Sequence, residues 1–342
     1  MKFQFSILFG MIIGLGASLQ AADPLQELKS FSGFSDIDVA QLAAGEIVTK
    51  QGDIMEFSRG ITAQACFIAM APPEKTARLY QTGEVFNNEE LKIYSHRQIH
   101  VPASRSDFSL LNLEDPRFEW LLKQSLPARP EEIKLQMSMK EAVLMFECNK
   151  VGGGSGKNTT ECWKDFLLAR ASMFQKGGFS ATPYYETHDA YTTPLSELQN
   201  ILKERSKTRE HFASLIADSI LAPPERASIL KPYYYWDLVE IDGHPTFNLG
   251  AIFVKNLGSG HYHILDVDYY SSSGLYTSAT FREVWPIQVD NKTVSLVWRG
   301  EEVSAPALAE LRGVERSAAG MMMIQEIKKS VKDFQEEAVK AP

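Results

Sequence analysis

Cysteine is scarce, with three residues in a chain of 342 and none in a Cys-x-x-Cys pair or at zinc-ligand spacing. That argues against dithiol redox chemistry and thiolate zinc sites. Blocks of Lys and Arg are missing, and 35 basic against 43 acidic side chains leave a formal charge of −8; the electrostatic footprint of a nucleic-acid binder is absent. Beyond residue 19 no apolar run reaches the length of a membrane span. A Gly-x-Ser-x-Gly elbow is lacking too, the candidate segments reading Gly-Gly-Ser-Gly-Lys around Ser155 and Leu-Gly-Ser-Gly-His around Ser259. Gly152–Lys157 falls short of a phosphate loop, because Val151 stands where the first glycine belongs and Asn158 replaces the hydroxyl that would hold magnesium. It reads as a flexible linker. No cofactor is expected, and paired carboxylates for acid–base work are not recognisable.

What is present is ordinary globular composition, 44% hydrophobic and 11% aromatic, with ample chain to bury a core. Met1-Lys2, an apolar run from Phe3 to Leu19 and the small residues Ala21 and Ala22 before Asp23-Pro24 have the layout of a secretory signal peptide over residues 1–22. The alternative is a retained anchor; the absence of a nearby cysteine speaks against a lipoprotein. An exported, periplasmic or secreted protein of a bacterial envelope is expected. Export permits a disulfide between Cys148 and Cys162, which bracket a thirteen-residue stretch holding Val-Gly-Gly-Gly-Ser-Gly. The alternative is two separate thiols. Cys66, inside Ala65-Cys66-Phe67-Ile68, reads as a buried free thiol.

Three regions follow from local patterning. Glu46–Lys50 and Ile61–Met70 read as strands, Ala71-Pro72-Pro73-Glu74 opens a short helix, and Leu91–Val101 reads as a third strand. The middle is helical. Ser138-Met139-Lys140-Glu141 is a capping box, a second helix capped at Thr159 or Thr160 ends at Gly177-Gly178, and a third starts at Thr193-Pro194 and closes at Pro223-Pro224. From Tyr233 onward five β-rich runs, with turns at Asp242-Gly243, Gly258-Ser259-Gly260 and Asp290-Asn291, predict an antiparallel meander. Gly320, Ile324, Ile327, Val331 and Phe334 then form the apolar stripe of a terminal helix docked on the sheet.

His261-x-His263 has metal-like spacing, since alternate strand residues share a face. Asp266 and Asp268 fall on the other face, and no histidine follows His263. The pair is therefore read as two half-exposed strand residues beside a turn and no metal is assigned, while a third ligand from His96, His100, His188, His211 or His244 stays open. The aromatic density of the last third is read mainly as core, with Tyr235, Tyr270, Trp285 and Trp298 as candidate lining of an apolar pocket between sheet and terminal helix.

The step Ala71-Pro72-Pro73-Glu74 from strand to helix, and the ending Trp285-Pro286-Ile287 through Leu296-Val297-Trp298-Arg299 to Ser304-Ala305-Pro306, resemble the START-like (SRPBCC, helix-grip) superfamily over about half the chain. The resemblance implies a curved sheet around a long C-terminal helix and a cavity for a lipid or other apolar molecule; it carries over no ligand residues. The expected fold is α+β, an antiparallel curved sheet packed on a long C-terminal helix with a largely helical inserted region. Residues 23–101 supply the N-terminal strands and short helix, 102–232 the helical insertion, and 233–340 the meander and final helix. The expected function is binding of a hydrophobic small molecule; the alternative is a non-enzymatic envelope interaction protein without a ligand cavity.

Overall fold

The computed structural model describes residues 23–83, 92–186 and 191–340; the expected signal segment and His188 lie outside them. The helices are α1 (Pro24–Phe31), α2 (Val39–Ala43), α3 (Pro73–Thr82), α4 (Glu119–Gln124), α5 (Met139–Val151), α6 (Gly156–Gly177), α7 (Pro194–Glu204), α8 (Ser206–His211), α9 (Ala213–Asp218), α10 (Pro224–Ala227) and α11 (Gly313–Lys340). The strands are β1 (Val48–Gln51), β2 (Gly60–Ala69), β3 (Ile93–Ile99), β4 (Tyr233–Ile241), β5 (His244–Gly258), β6 (His261–Ser271), β7 (Thr277–Val289) and β8 (Lys292–Ser304). The fold is α+β. One antiparallel sheet runs in the order β1-β2-β8-β7-β6-β5-β4-β3, so the early strands flank the C-terminal meander on both sides.

Both faces of the sheet are covered, which is why every residue of β2 is buried. Its odd positions Ala63, Ala65, Phe67 and Ala69 pack with Ile327, Val331, Phe334 and Ala338 of α11 and with Tyr80 of α3. The small side chains let the helix approach closely, and Phe334 stacks on Tyr80 at 4.1 Å. The even positions Cys66 and Ile68 join the larger core beneath α1 and the helices of the middle region. The stripe read from the sequence is thus the buried face of α11, although Ile324 is only partly covered.

Local chemistry sets the boundaries. Ser138 and Glu141 make the reciprocal capping box of α5. The cap of α6 is Ser155 rather than Thr159 or Thr160: Thr159 lies in the first turn, bonded through Oγ1 to Asn149 Oδ1 at 2.7 Å, and Thr160 Oγ1 bonds Gly156 O at 2.9 Å. The α5–α6 connection is a short loop closed by the Cys148–Cys162 disulfide, Cα atoms 6.0 Å apart. Cys66 is a buried free thiol that burial pushes up to about 12. Instead of one helix, residues 194–218 form three short ones, because Arg205 and Phe212 leave helical backbone geometry. In the β4–β5 turn Asp242 and Gly243 both have positive φ, 52° and 76°, the conformation that a tight two-residue hairpin requires.

Candidate metal centre

Four side chains from three elements converge on the face of the sheet opposite α11. His261 and His263 share a face of β6 by the two-residue strand period. Glu283 on β7 is the direct cross-strand partner of His263, and His211 arrives as the last residue of α8. Glu283 Oε2 lies 2.5 Å from His211 Nε2, while Glu283 Oε1 lies 2.6 Å from His261 Nε2 and 3.1 Å from His263 Nε2. The Glu283 side chain is 0% exposed, that of His263 7%, of His211 13% and of His261 22%. His263 is therefore buried, not half-exposed, and the site meets solvent on the His261 side.

Helix α1 packs against the centre. Phe31 stacks flat on the His211 ring at 3.7 Å and sets its edge against Trp298 at 4.9 Å. Trp285 lies near-parallel to His261 at 5.8 Å and donates its Nε1–H to Glu27 Oε2 at 3.0 Å. Phe212 packs 4.5 Å from His263, whose Nδ1 has no hydrogen-bond partner among the described residues, so that ring is oriented by Glu283 and by packing.

Burial alone would raise the Glu283 pKa, but hydrogen bonds from the three imidazoles prevail and hold it at about 2. Burial holds His263 below the usual histidine value, against the attraction of Glu283. The centre thus offers an ionised carboxylate and, at His263, a neutral imidazole at pH 7, which is the state metal ligation requires.

Ligand atoms of His211, His263 and Glu283 lie within 4.8 Å of one another, and so do those of Glu27, His261 and Glu283. Ligands about 2.1 Å from a tetrahedral ion stand about 3.4 Å apart. The His211–Glu283 pair must therefore open by roughly 1 Å around an ion, a small side-chain rotation. A cleft of about 390 Å³, lined among others by Phe31, Lys50, Gln64, Arg205 and Thr208, reaches the outer edge of this envelope at Phe31.

The four aromatic residues proposed from sequence do not form one lining. Tyr235 is on the α11 face, 6% exposed, its hydroxyl donating to Asp266 Oδ1 at 2.7 Å. Tyr270, Trp285 and Trp298 are on the other face. Tyr270 lies 4.2 Å beneath the Arg170 guanidinium, and Trp298 donates to Gln64 Oε1 at 3.1 Å. Trp285 and Trp298 help to enclose the histidine centre through Phe31. A β-bulge separates Tyr270 from Tyr235: Leu249 pairs with Tyr270 but Gly250 with Asp268, so Tyr269 is the extra residue and Tyr270 is turned to the far side.

Sequence reading missed Glu283 and Glu27, and held His211 only as one of five histidines open as a third ligand. Glu283 was accessible in principle, because a hairpin centred on the Ser271–Gly274 region brings it opposite His263. His211 and Glu27 depend on tertiary packing of short helices and carry no local signal.

No family model matches the chain, and no curated protein matches it. A solved START superfamily protein from Mycobacterium smegmatis is similar at 14% identity, with 30% of this chain and 65% of that chain covered and a TM-score of 0.23. The chain spans about two thirds of the length of that structure.

Proposed function

We propose that this is an exported metal-binding protein that holds a divalent first-row transition-metal ion with His211, His263 and Glu283. The observation that carries this reading is the convergence of three imidazole Nε2 atoms on one fully buried carboxylate. Burying an ionised carboxylate is costly without compensating charge, and imidazole with carboxylate suits zinc, iron or manganese rather than a soft thiolate-selecting metal. Export is supported by the signal-like layout of residues 1–22 and by the disulfide; no helix among the described residues is long and apolar enough to cross a membrane. The test is elemental analysis of the purified chain after dialysis against zinc, manganese or iron(II). At least one ion per chain is expected, and His263→Ala should weaken retention by more than the roughly 10–100-fold typical of losing an outer-shell partner. Substoichiometric metal in the unaltered chain, with a Tm indifferent to chelator, would overturn the reading.

A second reading, binding of a lipid or other apolar molecule, is favoured by a cleft of about 560 Å³ between α5 and α6 that includes Leu144, Met145, Phe166, Ala169 and Met173. Its size suits a small ligand. It lies away from the sheet–helix interface where sequence reasoning put such a cavity. Mass spectrometry of organic extracts decides: stoichiometric lipid supports this reading, and clean extracts end it.

A further inference from the structure

We infer that the centre takes two metal ions, bridged by Glu283, the second held by His261 and by Glu27 of α1. This rests on the metal-binding reading above and extends it. Glu283 touches both ligand sets: its Oε2 faces His211 of the first, and its Oε1 faces His261 of the second at 2.6 Å while also reaching His263 of the first at 3.1 Å. A carboxylate used in this way spans the separation of about 3.5–4 Å found in two-metal sites.

The second ligand set is built, not incidental. Glu27, His261 and Glu283 present ligand atoms within 4.8 Å of one another, so two carboxylates face each other across one imidazole. Two like charges side by side repel; a divalent cation between them reverses the sign of that interaction. Glu27 is not a loose surface acid. Its Oε2 accepts the Trp285 Nε1–H at 3.0 Å, and the Trp285 ring lies alongside His261, so one tryptophan orients both second-site ligands. His261 is also the most exposed of the three histidines, which makes the second position the solvent-facing one. Two ions so placed would act together on a water molecule or an anionic group entering from that side.

The experiment is metal stoichiometry of the full chain loaded with manganese alone, read by elemental analysis and by electron paramagnetic resonance, which separates exchange-coupled pairs from single ions. The unaltered chain should bind two ions and show a coupled signal; Glu27→Gln should bind one and show an uncoupled signal. Trp285→Phe, which keeps an aromatic ring but loses the donor, should lower the affinity of the second step and leave the first unchanged. It also serves if Glu27→Gln fails to fold. One uncoupled ion in the unaltered chain overturns this inference and leaves the metal-binding reading standing, whereas no ion overturns both. Two ions retained in Glu27→Gln overturn the assignment of Glu27.

Discussion

Replacing Glu302 with Gln should change how stability depends on pH, by an amount the structure sets. Glu302 on β8 is fully buried; its Oε1 lies 3.4 Å from Arg205 Nε and its Oε2 has no hydrogen-bond partner among the described residues. Burial outweighs the attraction of Arg205 and lifts the carboxyl from 4.5 to about 7. Because the folded-state value lies above the unfolded one, the folded protein keeps a proton that the unfolded chain releases. The associated stabilisation is complete below about pH 4.5 and is lost as pH rises through about 7. A shift of this size corresponds to roughly 3 kcal/mol, most of which falls between pH 5 and pH 8. Gln at 302 keeps the shape but cannot titrate. Urea unfolding followed by tryptophan fluorescence, with chelator present throughout, should therefore show Glu302→Gln gaining about 2–3 kcal/mol on the unaltered chain between pH 5 and pH 8. Other titrating groups are common to both proteins and cancel in the difference. A difference that stays flat with pH would show that Glu302 is not protonated in the folded state near neutrality, and the reasoning would fail.

Three further outcomes follow from packing. Gly250→Ala should lower stability by about 1–3 kcal/mol in denaturant titrations, because a Cβ there would overlap the Tyr235 ring, which hydrogen bonds to Asp266 and Asp268 hold in place. The double substitution Cys148→Ser with Cys162→Ser should cost about 3 kcal/mol for a loop of this length, seen as a lower Tm in the absence of reductant. Arg170→Met should cost about 3–5 kcal/mol, since it strands the Glu141 carboxylate that Arg170 clamps through Nε and the second guanidinium nitrogen at 2.8 and 2.7 Å. Adding Glu141→Gln, which removes the charge and keeps a capping-box side chain at that position, should recover much of that loss, and failure to recover it would mean the pair is not the source of the cost.

Local rules carried much of the architecture. The Ser138–Glu141 box, the Thr193-Pro194 start, the Asp242-Gly243 turn and the stripe of the last helix each act within a few residues, and each stands where the sequence implied. What escaped depends on distance. Alternation along β6 correctly separates His261 and His263 from Asp266 and Asp268, but it fails past Asp268, because the bulge at Tyr269 inserts one residue and reverses the face of Tyr270. A bulge answers to the partner strand, not to its own sequence. The break of residues 194–218 into three helices is likewise set by docking: it delivers His211 to Glu283 and Phe212 to the core, and no turn signal at Arg205 announces it. The histidine pair was visible while its meaning was not, because the residues that give it chemistry come from α1, α8 and β7.

The strand order constrains how this molecule can come into being. β2 is zipped along its whole length to β8, Gly60 opposite Ser304 and Ala69 opposite Ser295, while β3 closes the far edge against β4. The first third of the polypeptide cannot find its place until the last strand has been made. A chain with such distant pairings folds slowly and leaves strand edges and aromatic surface uncovered in the meantime. During synthesis β2 is an unfinished strand whose partner β8 is the last strand made, so its edge stays open until the sheet can close.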